Sequence, residues 1–176
     1  MKIEELKQFV RNIPDFPVPG IQFKDVTTLF KEYDLLVAIS DHLYEMYKDK
    51  GITKVVGIES RGFIIGPILA MRLHVGFVPI RKPGKLPAAV YEQSYLKEYG
   101  TDVIQIHQDA LTKEDVVLIH DDLLATGGTM LAACELMKKF CLEKIFVNFI
   151  IELEDLGGRT LFDPNIDVQS LIKYPV

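Results

Sequence analysis

The sequence has little cysteine, no excess of basic residues and no long apolar run. Its two cysteines, Cys134 and Cys141, are seven positions apart, a spacing that fits neither a zinc knuckle nor a redox Cys-x-x-Cys pair. We therefore expect two reduced thiols that serve in packing. The 20 Lys and Arg residues against 25 Asp and Glu give a formal charge of −5. This balance leaves no general basic surface for a nucleic-acid backbone.

No segment predicts a membrane helix or a secretory signal. The most apolar stretch, residues 63–73, contains Gly66, Pro67 and Arg72 and has about half the length that a membrane span needs. The first ten residues alternate charged with apolar side chains, unlike the apolar core of a signal peptide. We expect a single domain over residues 1–176, located in the cytoplasm, with no nucleic-acid or membrane partner.

Strand-like and helix-like segments alternate along the chain. KVVGI, GFVPI, DVVLI and KIFVNFII are apolar runs typical of buried strands, DVIQIH alternates like a half-exposed strand, and helical spacing recurs between these runs. Continuous apolar strands separated by helices predict an α/β fold with a mostly parallel twisted sheet flanked by helices. Ligand sites in such sheets lie at the carboxyl ends of the strands.

Two segments interrupt this pattern. Residues 1–33 combine a short leading helix with FPVPGIQFKD, whose Pro17, Pro19 and Gly20 predict an extended and rigid hood. Residues 81–102 begin with a long polar stretch rich in Lys, Pro, Gly and Tyr. Because this stretch exceeds an ordinary connection in length, we expect a flexible functional loop there.

The string VLIHDDLLATGGT joins a predicted strand to a predicted helix. Its glycines allow backbone N–H groups to approach an oxyanion, Thr126 and Thr129 add hydroxyl donors, and the helix adds its positive N-terminus. Asp121 and Asp122 precede the loop; they would repel a phosphate but suit the hydroxyls of an attached sugar. The string predicts a site for a phosphorylated pentose, although a solvated turn before a plain helix start would show similar residues.

This string resembles the thirteen-residue phosphoribosyl pyrophosphate motif of the type I phosphoribosyltransferases, with His120 where that family usually has Val. FPVPGIQFKD, GIESRGF, GFVPIRKPGKLP, SYLKEYGTD and IELEDLGGR extend the resemblance over nearly the whole chain, toward members that use adenine. It implies the type I phosphoribosyltransferase fold, and transfer of the 5-phosphoribosyl group of 5-phosphoribosyl 1-pyrophosphate to adenine, giving AMP and pyrophosphate in purine salvage. A homodimer is also implied, with the pyrophosphate loop and the long loop near the partner.

The resemblance further implies a role for each residue of the site. The ribose and its 5-phosphate would be held by Asp121, Asp122, Ala125, Thr126, Gly127, Gly128 and Thr129. The pyrophosphate would be held by Glu59, Ser60, Arg61, Arg81, Lys82 and Lys85, with a cis peptide in the Glu59 to Arg61 turn. Mg²⁺ would bridge oxygens of the substrate and touch few protein carboxylates.

The same resemblance places the base and the proton transfer. Adenine would stack on Phe23, receive backbone contacts from Gln22 and Lys24, and have Leu153 on its other face. The catalytic residues would be Arg61, Glu98 and Tyr99. Glu98 would accept the proton of the attacking nitrogen as residues 81–102 close over the site and exclude water.

Two alternatives for the function and two for His120 remain open. The protein could use another purine such as xanthine, or it could be a regulator that senses phosphoribosyl pyrophosphate without catalysis. Xanthine carries an oxo group where a carbonyl placed for an amine would be mismatched. Against a regulator that has lost catalysis, the chain retains all four discriminating residues: Arg61, Arg81, Lys85 and Glu98. His120 is either a partly buried side chain tied to a neighbour or a charge that tunes Asp121.

Overall fold

The computed structural model describes residues 1–16, 18–20, 22–96 and 100–175. The strands, in chain order, are β1 Arg11–Pro14, β2 Gln22–Asp25, β3 Lys54–Ile58, β4 Gly76–Ile80, β5 Val90–Leu96, β6 Thr101–His107, β7 Val116–Leu124, β8 Lys144–Leu153 and β9 Asp167–Tyr174. The α-helices are α1 Ile3–Leu6, α2 Thr27–Phe30, α3 Tyr33–Tyr47, α4 Gly62–Arg72 and α5 Gly128–Lys138. Short 3₁₀ helices cover Lys7–Phe9, Glu154–Leu156 and Gly158–Leu161.

The centre of the fold is a five-stranded parallel sheet in the order β4-β3-β7-β8-β9. From β3 the chain first builds outward to β4 and then returns to place β7 on the other side of β3. The strand order therefore reverses between β3 and β7. In a parallel sheet this switch point opens a crevice at the carboxyl ends of the two strands, where ligands bind. The predicted α/β fold with a parallel sheet is confirmed.

Two apolar cores cover the two faces of the sheet. One core packs α5 and strand β6 against the sheet, and the other packs α1, α3 and α4 against the opposite face. Burial on both faces explains why β3, β7 and β8 read as continuous apolar runs. Within the described ranges no helix is both long and apolar enough to cross a membrane.

The hood is built around a short antiparallel hairpin. Strands β1 and β2 pair with Pro14 opposite Gln22, and residue 17 and residue 21 between them lie outside the described ranges. Asp25, at the end of β2, accepts hydrogen bonds from Arg11 Nε at 3.0 Å and Thr27 N at 2.9 Å. Burial raises the pKa of Asp25, but the hydrogen bonds from Thr27 and Arg11 outweigh it and lower the pKa. This ionised carboxylate fixes the hairpin to the helix that follows.

The expectation of irregular structure throughout residues 81–102 is wrong for Val90–Leu96. This segment is strand β5, and it forms a two-stranded antiparallel ribbon with β6. Tyr91 and Tyr95, on one face of β5, pack against the core that contains α5. Tyr91 and Tyr95 lie on the same face of β5, because side chains alternate between the two faces of a strand. The polar residues between the tyrosines obscure this period of two in the sequence.

Two smaller expectations also need correction. The apolar run DVVLI predicts a strand that ends at Ile119, before Asp121 and Asp122, but β7 continues through Leu124 because it pairs with β8 as far as Glu152. Both cysteines were expected in the packing; Cys134 is buried in α5, whereas Cys141 is exposed at the end of the following turn. Its backbone there has a φ of 53°, which turns the chain out of the helix.

Candidate active site

The phosphate loop, residues 125–129, connects β7 to α5 at the switch point. Gly127 has a φ of 83° and directly precedes the helix, and an L side chain rarely adopts that conformation. A cavity of about 180 Å³ is lined by residues 121–130, Arg61 and Phe149. The loop amides, the hydroxyls of Thr126 and Thr129 and the helix N-terminus all border this cavity. The residues predicted to hold an oxyanion thus line one cavity, and the binding of an oxyanion there stays a prediction.

The acidic pair, Asp121 and Asp122, lies beside the phosphate loop, and its two carboxyls influence each other. Asp122 is 2% exposed and its carboxylate accepts a hydrogen bond from Arg61 Nε. Asp121 Oδ1 accepts a hydrogen bond from the backbone N of Asp122 at 2.9 Å. Burial, and then the neighbouring charge of Asp122, raise the pKa of Asp121 well above its usual value. Asp121 therefore retains a proton more readily than an exposed aspartate does.

A second cavity, of about 290 Å³, opens next to the first. It is lined by Ile58, Glu59, Ser60, Arg61, Lys82, Tyr95, Ile104, Asp121, Asp122 and Thr129. The peptide bond between Glu59 and Ser60 is cis, as the sequence comparison predicted for this turn. Polar and charged groups from the turn after β3, from the segment after β4, and from β5, β7 and α5 thus converge on one space.

Three cations at or near this second cavity have a carboxylate partner. Arg61 pairs with Asp122, and Lys82 Nζ donates to Asp102. Arg81 Nε donates to Glu59 Oε2 at 3.1 Å. Lys82 also donates its backbone N–H to Glu59 at 2.8 Å. This N–H and then Arg81 lower the pKa of Glu59.

The predicted pyrophosphate residues divide into two groups. Glu59, Ser60, Arg61 and Lys82 line the second cavity. Arg81 contacts the cavity only through Glu59, and Lys85 is exposed in the turn that follows. Among the described residues that line this cavity, neither Arg81 nor Lys85 occurs. Their contact with pyrophosphate stays a prediction.

A third, more apolar cavity lies under the hood. It measures about 350 Å³ and is lined by Ile13, Phe16, Phe23, Lys24, Asp25, Val26, Thr27 and Arg61. The rings of Phe16 and Phe23 meet edge to face, with their centroids 5.2 Å apart. This contact holds Phe23 at the cavity while leaving space for a flat ligand.

Two other predicted base contacts, Gln22 and Leu153, are not among the described residues that line the third cavity. Gln22 is exposed and its Oε1 accepts a hydrogen bond from Asn12 at 2.7 Å. Leu153 is buried in the core at the end of β8, and it is not among the described residues that line the third cavity. Leu153 is 8% exposed, and its contact with the base stays a prediction.

Arg61 borders all three cavities. Burial lowers and Asp122 raises the pKa of its guanidinium, with a net rise, so Arg61 stays cationic at the junction. The described residues contain no group of three or more His, Cys, Asp and Glu side chains that could hold a metal ion. The other two predicted catalytic residues, Glu98 and Tyr99, lie outside the described residues.

His120 is fully buried beneath the acidic pair. Its Nδ1 lies 2.9 Å from Asn148 Oδ1, across the β7–β8 pairing, which is the tied neighbour that the sequence predicted. Burial lowers the pKa of His120 to about 4, against smaller opposing effects of Asn148 and Asp122. The imidazole is therefore neutral near pH 7, and the alternative in which its charge tunes Asp121 loses its basis.

Sequence reasoning missed three residues of the site. Asp25 fixes the hood, Tyr95 lines the second cavity, and Asp102 pairs with Lys82 and accepts from Tyr95 Oη at 3.2 Å. Tyr95 and Asp102 both belong to SYLKEYGTD, but the resemblance assigns catalytic roles in this segment only to Glu98 and Tyr99. The spacing of Tyr91 and Tyr95 was the available signal for the strand that carries the second of them.

The fold and the three joined cavities define a class of protein that binds a phosphorylated sugar beside a flat group. A family model of the phosphoribosyl transferase domain matches residues 25–155. The adenine phosphoribosyltransferase of Bacteroides thetaiotaomicron is 66% identical over 172 residues, 98% of each chain. The chain belongs to the phosphoribosyltransferase family and, within it, to the adenine phosphoribosyltransferases.

Solved structures agree with this assignment. An adenine phosphoribosyltransferase of Giardia lamblia complexed with 9-deazaadenine has a TM-score of 0.93 and 42% identity, covering 100% of this chain and 99% of its own. The Trypanosoma brucei enzyme in complex with AMP, pyrophosphate and ribose-5-phosphate has a TM-score of 0.88 and 27% identity, covering 97% and 79%.

Proposed function

We propose that this protein transfers the 5-phosphoribosyl group of 5-phosphoribosyl 1-pyrophosphate to adenine, with formation of AMP and release of pyrophosphate in purine salvage. The observation that carries the proposal is the meeting of three different cavities at Arg61. One is built for a phosphate, one is lined by cations and carboxylates, and one is apolar and aromatic. The ligands named with the Giardia and Trypanosoma enzymes include a sugar phosphate, a pyrophosphate and an adenine-like base, one for each kind of cavity.

The phosphate loop holds the 5-phosphate, and the acidic pair orients the ribose. Backbone N–H groups of Ala125, Thr126, Gly127, Gly128 and Thr129 donate to phosphate oxygens. Asp121 and Asp122 accept hydrogen bonds from the ribose hydroxyls. The phosphate and the hydroxyls are unchanged by the reaction, so these contacts supply binding and orientation.

The second cavity receives the leaving pyrophosphate. Cleavage at the anomeric carbon leaves positive charge on the ribose ring and negative charge on the departing oxygens. Arg61 and Lys82 face that negative charge, and the hydrogen bond from the Lys82 backbone N–H to Glu59 fixes the chain at Lys82. Arg81 and Lys85 extend the cationic surface around the same opening. The cations stabilise the leaving group as its charge develops.

The donors around the second cavity fit a magnesium ion carried mainly by the substrate. The nearby protein ligands are carboxylate oxygens, which suit a hard cation, and Asp122 and Glu59 already accept hydrogen bonds from cations. Asp121 has no cationic hydrogen-bond donor among the described contacts and is the carboxyl best placed to approach the ion. When bound, Mg²⁺ neutralises charge on the pyrophosphate.

The hood holds the base. Phe23 supplies a face for stacking, and the backbone of Gln22 and Lys24 supplies hydrogen bonds to the edge of adenine. Leu153 approaches the opposite face from the end of β8. Residues 81–102 act as a lid, with Glu98 as the acceptor of the proton from the attacking nitrogen and Tyr99 beside it. The lid excludes water, which would otherwise capture the ribosyl cation.

The proposal includes a homodimer in the cytoplasm. The outer face of α4, directly after the cis peptide, exposes Ile64 and Met71 by 38% and 70%. An apolar face of this kind next to a polar site is typical of a protein interface. The unpaired state of Cys134 and Cys141 supports a reducing compartment.

A spectrophotometric assay with phosphoribosyl pyrophosphate and Mg²⁺ tests the function. We expect AMP from adenine, and turnover with hypoxanthine, guanine or xanthine at least roughly a hundredfold lower, since their oxo groups cannot donate to a carbonyl placed for an amine. Preferential use of xanthine would establish the alternative specificity. Binding of phosphoribosyl pyrophosphate without turnover of any base would instead indicate a sensing regulator.

A further inference from the structure

A turn distant in the sequence lies directly against the phosphate loop. This turn, residues 157–161, here called the backing turn, follows β8 and carries Gly158. A Cβ added to Gly158 would lie 2.2 Å from Ala125 O and 3.0 Å from Gly127 N. A Cβ added to Gly127 would lie 2.8 Å from Gly158 O. The two segments are therefore in backbone contact, with no space for a side chain between them.

The backing turn is anchored by Arg159. Its Nε donates to Glu152 Oε1 at 2.8 Å and its Nη2 donates to Glu152 Oε2, so the guanidinium grips one carboxylate with two parallel hydrogen bonds. Arg159 also donates to Val168 O and, at 3.3 Å, to Ser170 Oγ. One side chain thus connects the turn to β8 and β9.

The anchor has a fixed geometry because its carboxylate is buried. Glu152 is 3% exposed; burial raises its pKa, but the hydrogen bonds and charge of Arg159 outweigh this and lower it. Glu152 in turn raises the pKa of Arg159. A buried carboxylate of this kind needs its partner, so the guanidinium cannot leave Glu152 freely.

We propose that Arg159 is a positioning residue for the 5-phosphate site. By holding Gly158 on Glu152, it fixes the backbone against which Ala125 and Gly127 rest, and so fixes the direction of the loop amides. Donors to a phosphate lose binding energy when they move by a few tenths of an ångström. The inference rests on the proposed function only in taking the loop's ligand to be a sugar phosphate.

Replacement of Arg159 should weaken the binding of the substrate and leave the rate of the chemical step nearly unchanged. The 5-phosphate is bound in the ground state and in the transition state alike, so a displaced loop weakens both equally. For Arg159→Lys, which keeps the charge but loses the two-pronged grip, we expect the KM for phosphoribosyl pyrophosphate to rise roughly tenfold with kcat within about threefold. The Kd of ribose 5-phosphate, measured by calorimetry, rises by the same factor.

Two further variants complete the test. Gly158→Ala inserts a Cβ against Ala125 O and is expected to weaken ribose 5-phosphate more than Arg159→Lys does. Lys173→Met is the matched control: Lys173 Nζ also approaches Glu152, at 3.9 Å, but it does not anchor the turn, so both constants should stay unchanged.

The outcomes separate the anchor from the proposed function. If Arg159→Lys and Gly158→Ala lower only kcat or the melting temperature and leave both constants within twofold of the parent, the positioning role is wrong. If the parent binds ribose 5-phosphate but makes no AMP from adenine, the proposed function fails while the comparison of Kd values still decides the role of Arg159. A parent that does not bind ribose 5-phosphate overturns both.

Discussion

Asp121 is a residue on which folding and binding make opposite demands. Its carboxyl lies beside that of Asp122, which Arg61 neutralises only in part, and burial removes the solvent that would screen the two charges. The folded state therefore holds a proton on Asp121 more tightly than the unfolded state does. The ordinary pKa of an aspartate is 3.8. As the pH rises above this pKa, ionisation of Asp121 is less favourable in the folded state than in the unfolded state, so the free energy of unfolding decreases.

Asp121→Asn should therefore stabilise the unliganded protein at pH 8. The amide keeps an oxygen for the Asp122 N–H and removes a charge, so we expect a gain of roughly 1 kcal/mol, about 2–4 °C in melting temperature for a chain of this size. Turnover should fall by roughly a hundredfold because an orienting carboxylate is lost. Calorimetry and the AMP assay measure the two effects.

Asp122→Asn is the matched control, because it removes the partner of Arg61 and should lower the melting temperature. The double variant should retain its fold and lose ribose binding. A lower melting temperature for Asp121→Asn than for the parent, or full turnover in the double variant, contradicts this account of the acidic pair.

His120 shows the opposite linkage. Its folded pKa of about 4 lies below the ordinary 6.5, so the unfolded state binds the proton more tightly. The stability associated with the neutral imidazole is fully present above pH 6.5 and is lost as the pH falls from 6.5 toward 4. The shift corresponds to roughly 3 kcal/mol.

A double variant, His120→Val with Asn148→Val, should remove that pH dependence. Both members of the hydrogen-bonded pair are replaced by apolar groups, which avoids an unsatisfied buried amide. Urea unfolding at pH 7.5 and pH 4.5 should show a smaller difference in free energy of unfolding for the variant than for the parent. His120→Val alone should leave the pH profile of turnover unchanged between pH 6.5 and 9; a displaced profile would restore the alternative in which His120 tunes Asp121.

At the scale of elements, the ribbon of β5 and β6 is the least expected feature. Its pairing brings Tyr91 against Phe140, with ring centroids 5.3 Å apart, and Tyr95 to the second cavity. The ribbon is separate from the five-stranded sheet in its strand pairing, apart from a bridge between Arg81 and Gln105. Its order therefore depends on side-chain packing, which includes Tyr91 and Tyr95 of β5 and the buried Ile104 and Ile106 of β6.

Tyr91→Ala should loosen the ribbon without unfolding the sheet. Loss of the aromatic contact removes about 1 kcal/mol, which is shared mainly by local opening of β5 and β6. Hydrogen exchange measured by mass spectrometry should rise several-fold over the amides of both ribbon strands and stay constant in β7 and β8. Tyr91→Phe keeps the ring and serves as the control. Equal exchange in Tyr91→Ala and the parent would show that the contact between Tyr91 and Phe140 does not hold the ribbon.

For the whole molecule, the sequence predicted what depends on local pattern. The apolar runs indicated the parallel sheet, and the glycines and threonines of the phosphate loop indicated an oxyanion site. The pairing of Arg61 with Asp122, of Lys82 with Asp102 and of Gly158 with Gly127 was not predictable, because these contacts join segments that are distant in sequence. Only the strand order brings them together.

The proposed homodimer concerns the whole molecule, and the exposed apolar side chains of α4 allow it to be tested. Met71→Glu places a charge on the exposed apolar face, and desolvating that charge in an interface is unfavourable, so we expect a shift from dimer to monomer in analytical ultracentrifugation. Tyr33→Glu is the matched control, since Tyr33 is 78% exposed and lies on α3. A monomeric parent, or a dimer that persists in Met71→Glu, contradicts the proposed interface.

The carboxylates that pair with Arg61, Arg81 and Lys82 also bear on which anions can bind in the second cavity. An anion that enters the second cavity must compete with Asp122, Glu59 and Asp102 for cations that are already satisfied. A lone orthophosphate brings too little charge to displace several partners at once, whereas a diphosphate attached to a sugar engages the phosphate loop as well. We therefore expect the second cavity to bind a small anion weakly when that anion cannot compete with several of these carboxylates at once.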